Sequence, residues 1–198
     1  MADPVHFYFD FSSSYSYFAY DRIGAVAGKH MRDLVHRPIA LGAIFKERGH
    51  APDMPGTDKG SYIFHDVERQ AALLGKPYAW PKPFPYNSIP AARGFYWLDA
   101  NAPDLAQPYV AAVFETVFGK GQAVDDPGTL ADVAKSVGAD AAAFKDGIAE
   151  PAIKSRLIEE TEAAKAKGVF GAPSFTVGDE LFWGADRLDS LDAWLAQN

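Results

Sequence analysis

The chain has 198 residues and no cysteine. Without a thiol it forms no disulfide, offers no cysteine nucleophile and gives a metal no thiolate. No apolar run approaches the roughly 20 residues of a membrane span. No basic stretch interleaved with aromatics points to nucleic acid. Acidic residues outnumber basic ones, 26 against 19, for a formal net charge of -7. The histidines show no metal-ligand spacing, so no metal is expected. The N-terminus has neither the basic start nor the apolar stretch of a signal peptide, which makes the cytoplasm the expected compartment.

What is present is apolar and aromatic. Hydrophobic residues make up 48% of the chain, with 14 Phe, 9 Tyr and 4 Trp. That is enough for a substantial core, and the rings also suit a pocket for a flat ligand.

Val5 to Phe11 alternates and predicts a strand. Tyr15, Phe18, Ala19, Ile23, Val26 and Ala27 recur at helical spacing, with Gly28 suited to the end. Asp33 to Leu41 reads as a second strand, parallel to the first. Residues 42–60 read as a loop. A helical face runs from Ile63 to Leu74, and a proline-rich bridge from Lys76 to Pro90. Four helical segments follow, around 91–100, 110–118, 130–137 and 141–148. Pro151 opens a longer helix that Gly168 terminates. Phe175 to Val177 and Leu181 to Trp183 flank Gly178-Asp179-Glu180, a hairpin signal, and Asp186 is placed to cap a last helix. The order is β-α-β, a helical block, then α-β-β-α.

The junction of the first strand and helix carries three adjacent hydroxyls, Ser12, Ser13 and Ser14. A helix N-terminus has unpaired N–H groups and about half a positive charge. A hydroxyl there caps the helix or holds an anion or thiolate, and sequence alone leaves both roles open.

Four segments, taken in order, carry a resemblance: F-D-F-S-S-S-Y-S-Y at Phe9 to Tyr17, K-G-x-Y at Lys59 to Tyr62, F-G-A-P-S-F at Phe170 to Phe175, and F-W-G-A-D-R-L at Phe182 to Leu188. Together they resemble the 2-hydroxychromene-2-carboxylate isomerases, relatives of kappa-class glutathione transferases and of DsbA-like thioredoxin folds. The resemblance implies an α/β thioredoxin-like fold with an all-helical insertion: residues 1–45 plus 168–198 as a discontinuous domain, and 46–167 inserted. It also implies glutathione as a cofactor that is not consumed, a small aromatic carboxylate as substrate, aromatic-compound catabolism, and a homodimer. A kappa-like transferase and a non-catalytic binding module are the alternatives.

Residue by residue, the resemblance puts the reactive serine on Ser13, although relatives usually have proline where this chain has Ser14, leaving the three hydroxyls in competition. Pro173 matches the cis-proline of the fold, so Ala172 would pair with the cysteinyl part of glutathione. Trp183, Gly184 and Asp186 match the turn whose acid meets the γ-glutamyl ammonium. Arg187 either bonds the γ-glutamyl carboxylate or lies on the surface. Lys59 and Lys46 are the two lysines suggested for a carboxylate. His50 stands where relatives carry asparagine, and Tyr86 and Asn87 match a Y-N-S motif proposed to line the aromatic pocket.

Overall fold

The computed structural model describes residues 2–198. Strand β1 (Val5–Phe9) leads through a tight turn into helix α1 (Ser14–Lys29), and β2 (Leu34–Pro38) returns parallel to β1. Helices α2 (Leu41–Glu47), α3 (Asp58–Leu73), α4 (Ile89–Asn101), α5 (Pro103–Phe114), α6 (Pro127–Ser136), α7 (Ala141–Gly147) and α8 (Pro151–Ala166) follow, with a π turn at Glu115–Gly119 extending α5. The chain then re-enters the sheet as the hairpin β3 (Ser174–Val177) and β4 (Glu180–Trp183). A 3₁₀ turn, Ala185–Arg187, leads to α9 (Leu188–Leu195). The sheet order is β2-β1-β3-β4, with β3 antiparallel to both its neighbours. This is the α/β arrangement expected of a thioredoxin-like fold.

Alternation along β1 sorts its side chains between two cores. Val5, Phe7 and Phe9 face the larger one, which continues through α1 and the helical segments. Phe7 stacks on Phe175 at 5.4 Å, and Phe11 reaches Phe114 of α5 at 5.2 Å, so an aromatic column runs from sheet to helices. Truncating one such buried ring to alanine costs about 3–5 kcal/mol. Tyr8 faces the smaller core of Ile39, Ile44, Ala164 and Val169, beneath α2 and α8. Helix α8 is tied to the end of β2: Thr161 Oγ1 accepts from the Ala40 N–H at 3.1 Å, and Arg37 forks onto Glu160 at 2.9 and 3.0 Å.

Two local expectations differ from the structure. Residues 42–60 are not all loop, because α2 occupies Leu41–Glu47. Its N-cap, Ala40, makes no side-chain capping bond. The Leu41 N–H is instead bonded by Asp10 Oδ2 at 2.9 Å, from the end of β1. A helix started by a residue 31 positions earlier has no local start signal. The second difference is that Asp186 does not cap α9. The cap position is Arg187, without a side-chain bond, and the Asp186 carboxylate pairs with the Arg187 guanidinium at 2.6 Å.

Candidate active site

The turn between β1 and α1 is built around Asp10, which is buried. Its Oδ1 accepts from the Ser12 N–H at 2.8 Å and the Ser12 hydroxyl at 2.7 Å, while Oδ2 holds Leu41. The three adjacent serines are thereby sorted. Ser12 is turned back onto Asp10. Ser14 is buried and bonds the Tyr78 hydroxyl at 2.9 Å. Ser13 is the N-cap of α1, its Oγ accepting from the Ser16 N–H at 3.2 Å and donating to the Ala172 carbonyl at 3.0 Å. The Ala172–Pro173 bond is cis. Ser13 thus stands at the positive end of α1, facing the segment that precedes β3.

A cleft runs past this point in two lobes that share Tyr15, Ala172 and Trp183 as walls. The first, about 690 Å3, is the more polar: Pro173, Gly184, Asp186 and Arg187 line it, together with Arg22, Tyr62 and Asp66. Gly184 adopts φ 113°, and a Cβ there would lie 2.4 Å from Asp186 Oδ1, so the turn needs glycine. In the same lobe, Asp66 accepts from the Tyr15 hydroxyl at 2.8 Å and from Arg69. Burial alone would raise the Asp66 pKa, but these hydrogen bonds outweigh it and hold the carboxyl below its ordinary range. Burial, reinforced by the bond to Asp66, raises the Tyr15 pKa and keeps its hydroxyl a donor.

The second lobe, about 500 Å3, holds the three serines, His50, Lys59 and Arg48 among aromatic walls. Phe64 and Trp80 stack at 3.9 Å with an interplanar angle of 14°, and Phe84 packs against Trp80 at 4.9 Å. Phe170 and Trp183 also line the lobe, Phe170 leaning on Trp183 at 4.7 Å. Lys59 pairs with Asp53 at 2.8 Å. The glycine after it explains part of the K-G-x-Y pattern: a Cβ at Gly60 would lie 1.9 Å from the Met54 carbonyl oxygen, so only glycine lets α3 begin against that loop.

The residues singled out from sequence are therefore distributed unevenly. Ser13, Lys59, His50, Ala172 and Trp183 line the aromatic lobe. Pro173, Gly184, Asp186 and Arg187 join Ala172 and Trp183 around the polar one. Tyr86 and Asn87 lie in a neighbouring hollow of about 230 Å3 that shares Ser12, Leu41, Phe45, Pro52 and Phe84 with the aromatic lobe. The Tyr86 hydroxyl donates to the Phe11 carbonyl at 2.7 Å, and Asn87 Oδ1 accepts from the Ile89 N–H. Lys46 is exposed on α2 and lines neither lobe. Sequence reasoning missed Arg48, Asp66 and Phe84. None stands in a recognisable motif; each enters the cleft through the packing of α2, α3 or the proline-rich bridge. Among the described residues no cluster of metal-ligating side chains occurs, and no helix is long and apolar enough to cross a membrane.

The family model for the DsbA-like thioredoxin domain matches residues 4–196. A 2-hydroxychromene-2-carboxylate isomerase of Pseudomonas putida is 35% identical over 191 residues, covering 96% of this chain and 92% of that protein. Human glutathione S-transferase kappa 1 is 25% identical over 200 residues, covering 94% of this chain and 88% of that one. A solved structure of a 2-hydroxychromene-2-carboxylate isomerase superposes with a TM-score of 0.85 at 34% identity, over 98% of this chain and 94% of that one. On likeness of this extent in both sequence and fold, the protein belongs to the 2-hydroxychromene-2-carboxylate isomerase family of DsbA-like thioredoxin domains.

Proposed function

We propose that the protein is a glutathione-dependent isomerase acting on 2-hydroxychromene-2-carboxylate or a related aromatic pyruvate derivative. The observation that carries this reading is the Ser13 hydroxyl at the head of α1, 3.0 Å from the Ala172 carbonyl, where the two lobes of the cleft meet.

The donor set fits glutathione. Asp186 suits an ammonium, Arg187 and Arg22 suit a carboxylate, and all three line the polar lobe. Gly184, which leaves no space for a Cβ beside Asp186, shapes the cradle. Ala172 offers backbone groups to a peptide. Bound glutathione would supply a thiolate that adds reversibly to a conjugated alkene, letting the former double bond turn before the thiol is released unchanged. The chain's own residues set the conditions for that chemistry. Ser13 redirects its proton from Ala172 to the sulfur, and the N–H groups of the first turn of α1 add their partial positive charge. Both favour thiolate over thiol, whose free pKa is about 8.5. Phe64, Trp80 and Phe84 hold a flat ring and exclude water from it.

The test is to incubate the protein with glutathione and 2-hydroxychromene-2-carboxylate, follow the absorbance change and count thiol at the end. Conversion with thiol fully recovered supports the isomerase. Loss of one thiol per turnover supports a transferase, the activity named for the human relative. No conversion would overturn this substrate assignment. A homodimer is part of the proposal: Leu73, at the end of α3 and not among the cleft walls, is an exposed apolar side chain that a second copy would cover, and sedimentation measures this directly.

A further inference from the structure

The aromatic lobe has one more cation than it has partners for. Lys59 is paired with Asp53, a carboxylate on the same wall. Glu47, next in sequence to Arg48, pairs with Lys165. Arg48 pairs with neither acid, and its guanidinium carbon instead lies 5.7 Å from the centre of the Phe170 ring. Phe170 in turn packs on Trp183, so Arg48, Phe170 and Trp183 form a continuous strip of wall. A guanidinium laid over a ring keeps its in-plane N–H groups for an acceptor at its edge. Such a fork matches a carboxylate in two hydrogen bonds, as a lysine ammonium does not.

The ordinary role of Arg48 would be at the C-terminus of α2, where it is the capping residue and its charge complements the helix dipole. That role does not require the side chain to lie along the cleft wall. The lobe is also lined by Phe64 and Trp80, stacked nearly parallel. The lobe therefore offers flat apolar faces and a single uncompensated positive fork, which is the complement of a planar aromatic acid. On the reading of this lobe as the substrate pocket, we propose that Arg48, rather than Lys59 or Lys46, binds the substrate carboxylate and sets the preference for anionic over neutral aromatic compounds. Lys59 already has a counter-ion and Lys46 lies outside the lobe.

Two probes of one shape separate charge from ring packing: trans-cinnamate and its neutral amide. Trp80 and Trp183 line the lobe, so quenching of tryptophan fluorescence reports occupancy without turnover. The wild-type chain is expected to bind cinnamate about tenfold or more tighter than the amide. Arg48→Ala should abolish that preference while leaving the amide's affinity unchanged, and Arg48→Lys should restore only part of it. In turnover, Arg48→Ala should raise KM for the carboxylate substrate with kcat little altered, since the contact is made equally in ground and transition states. Equal binding of acid and amide by the wild type would overturn the proposal, as would a preference surviving in Arg48→Ala or one lost only in Lys59→Ala. Preference for cinnamate through Arg48 in a chain that isomerises nothing would sink the proposed activity and leave this assignment standing. Isomerisation with an unchanged KM in Arg48→Ala would do the reverse.

Discussion

The Ser13 hydroxyl and the Ala172 carbonyl, 159 residues apart in the chain, meet at 3.0 Å. The same Ser13 oxygen caps α1 through the Ser16 N–H. Capping and donation are separable in energy. Ser13→Ala is expected to cost about 1 kcal/mol of stability, the usual worth of an N-cap. It is expected to slow isomerisation about 10²-fold or more, as loss of a preorganised donor does. A thermal melt and steady-state rates on one sample check both. Near-normal turnover would move the role to another group.

Asp10 is the hub that holds this geometry. The residue is 2% exposed, and its carboxylate takes hydrogen bonds from both the Ser12 groups and the Leu41 N–H. Asp10→Ala leaves those donors unmatched in a buried turn and should destabilise the chain by about 3 kcal/mol, as loss of charge-assisted bonds does. Chemical denaturation with an unchanged m-value is the measurement. A loss under about 1 kcal/mol would show that water replaces the carboxylate.

Asp186 is exposed and paired with Arg187, with no part in capping α9. Asp186→Asn should therefore leave the melting temperature nearly unchanged while raising KM for glutathione about tenfold, with kcat at saturation preserved. Calorimetric titration with glutathione gives the same comparison without turnover. Equal affinity in wild type and variant would remove Asp186 from the binding site.

His36 of β2 sits among the rings of Phe7, Phe9 and Tyr20 at 6.0, 6.2 and 5.8 Å. Burial there pushes its pKa down to about 4 from 6.5. The unfolded chain then binds more protons than the folded one between those values, so stability rises with pH across that interval. The His36 contribution is complete above about pH 6.5 and is lost as pH falls towards 4. Urea unfolding at pH 7 and pH 4.5 should show a larger drop for wild type than for His36→Leu. Equal drops would mean that His36 is solvated when protonated.

Short-range physics made much of the fold readable in advance. The alternation of Val5 to Phe11, the helical recurrence from Tyr15 to Ala27 and the Gly178-Asp179-Glu180 hairpin are patterns within a few residues, and each element formed within its pattern, with β1 ending two residues early at Phe9. The family was legible because its four motifs keep their order over nearly the whole chain. Local chemistry also marks the serine run as the start of α1, with Ser13 proving to be the cap.

Tertiary structure decided what depends on distant partners. Helix α2 starts from Asp10, so its own sequence carries no start signal. Three serines of identical side chain were equivalent in sequence until Asp10, Ala172 and Tyr78 each took one. Asp186 had the residue type and position of a cap, yet its carboxylate went to Arg187 because the 3₁₀ turn places the two side by side. Likewise, no sequence pattern separates Arg48 from Lys46, two residues away. Both are exposed, and only the packing of α2 beside Phe170 sets one on the cleft wall and the other off it. A hydrogen bond or a stacked ring acts over a few ångströms, and only the folded chain determines which residues come within that range.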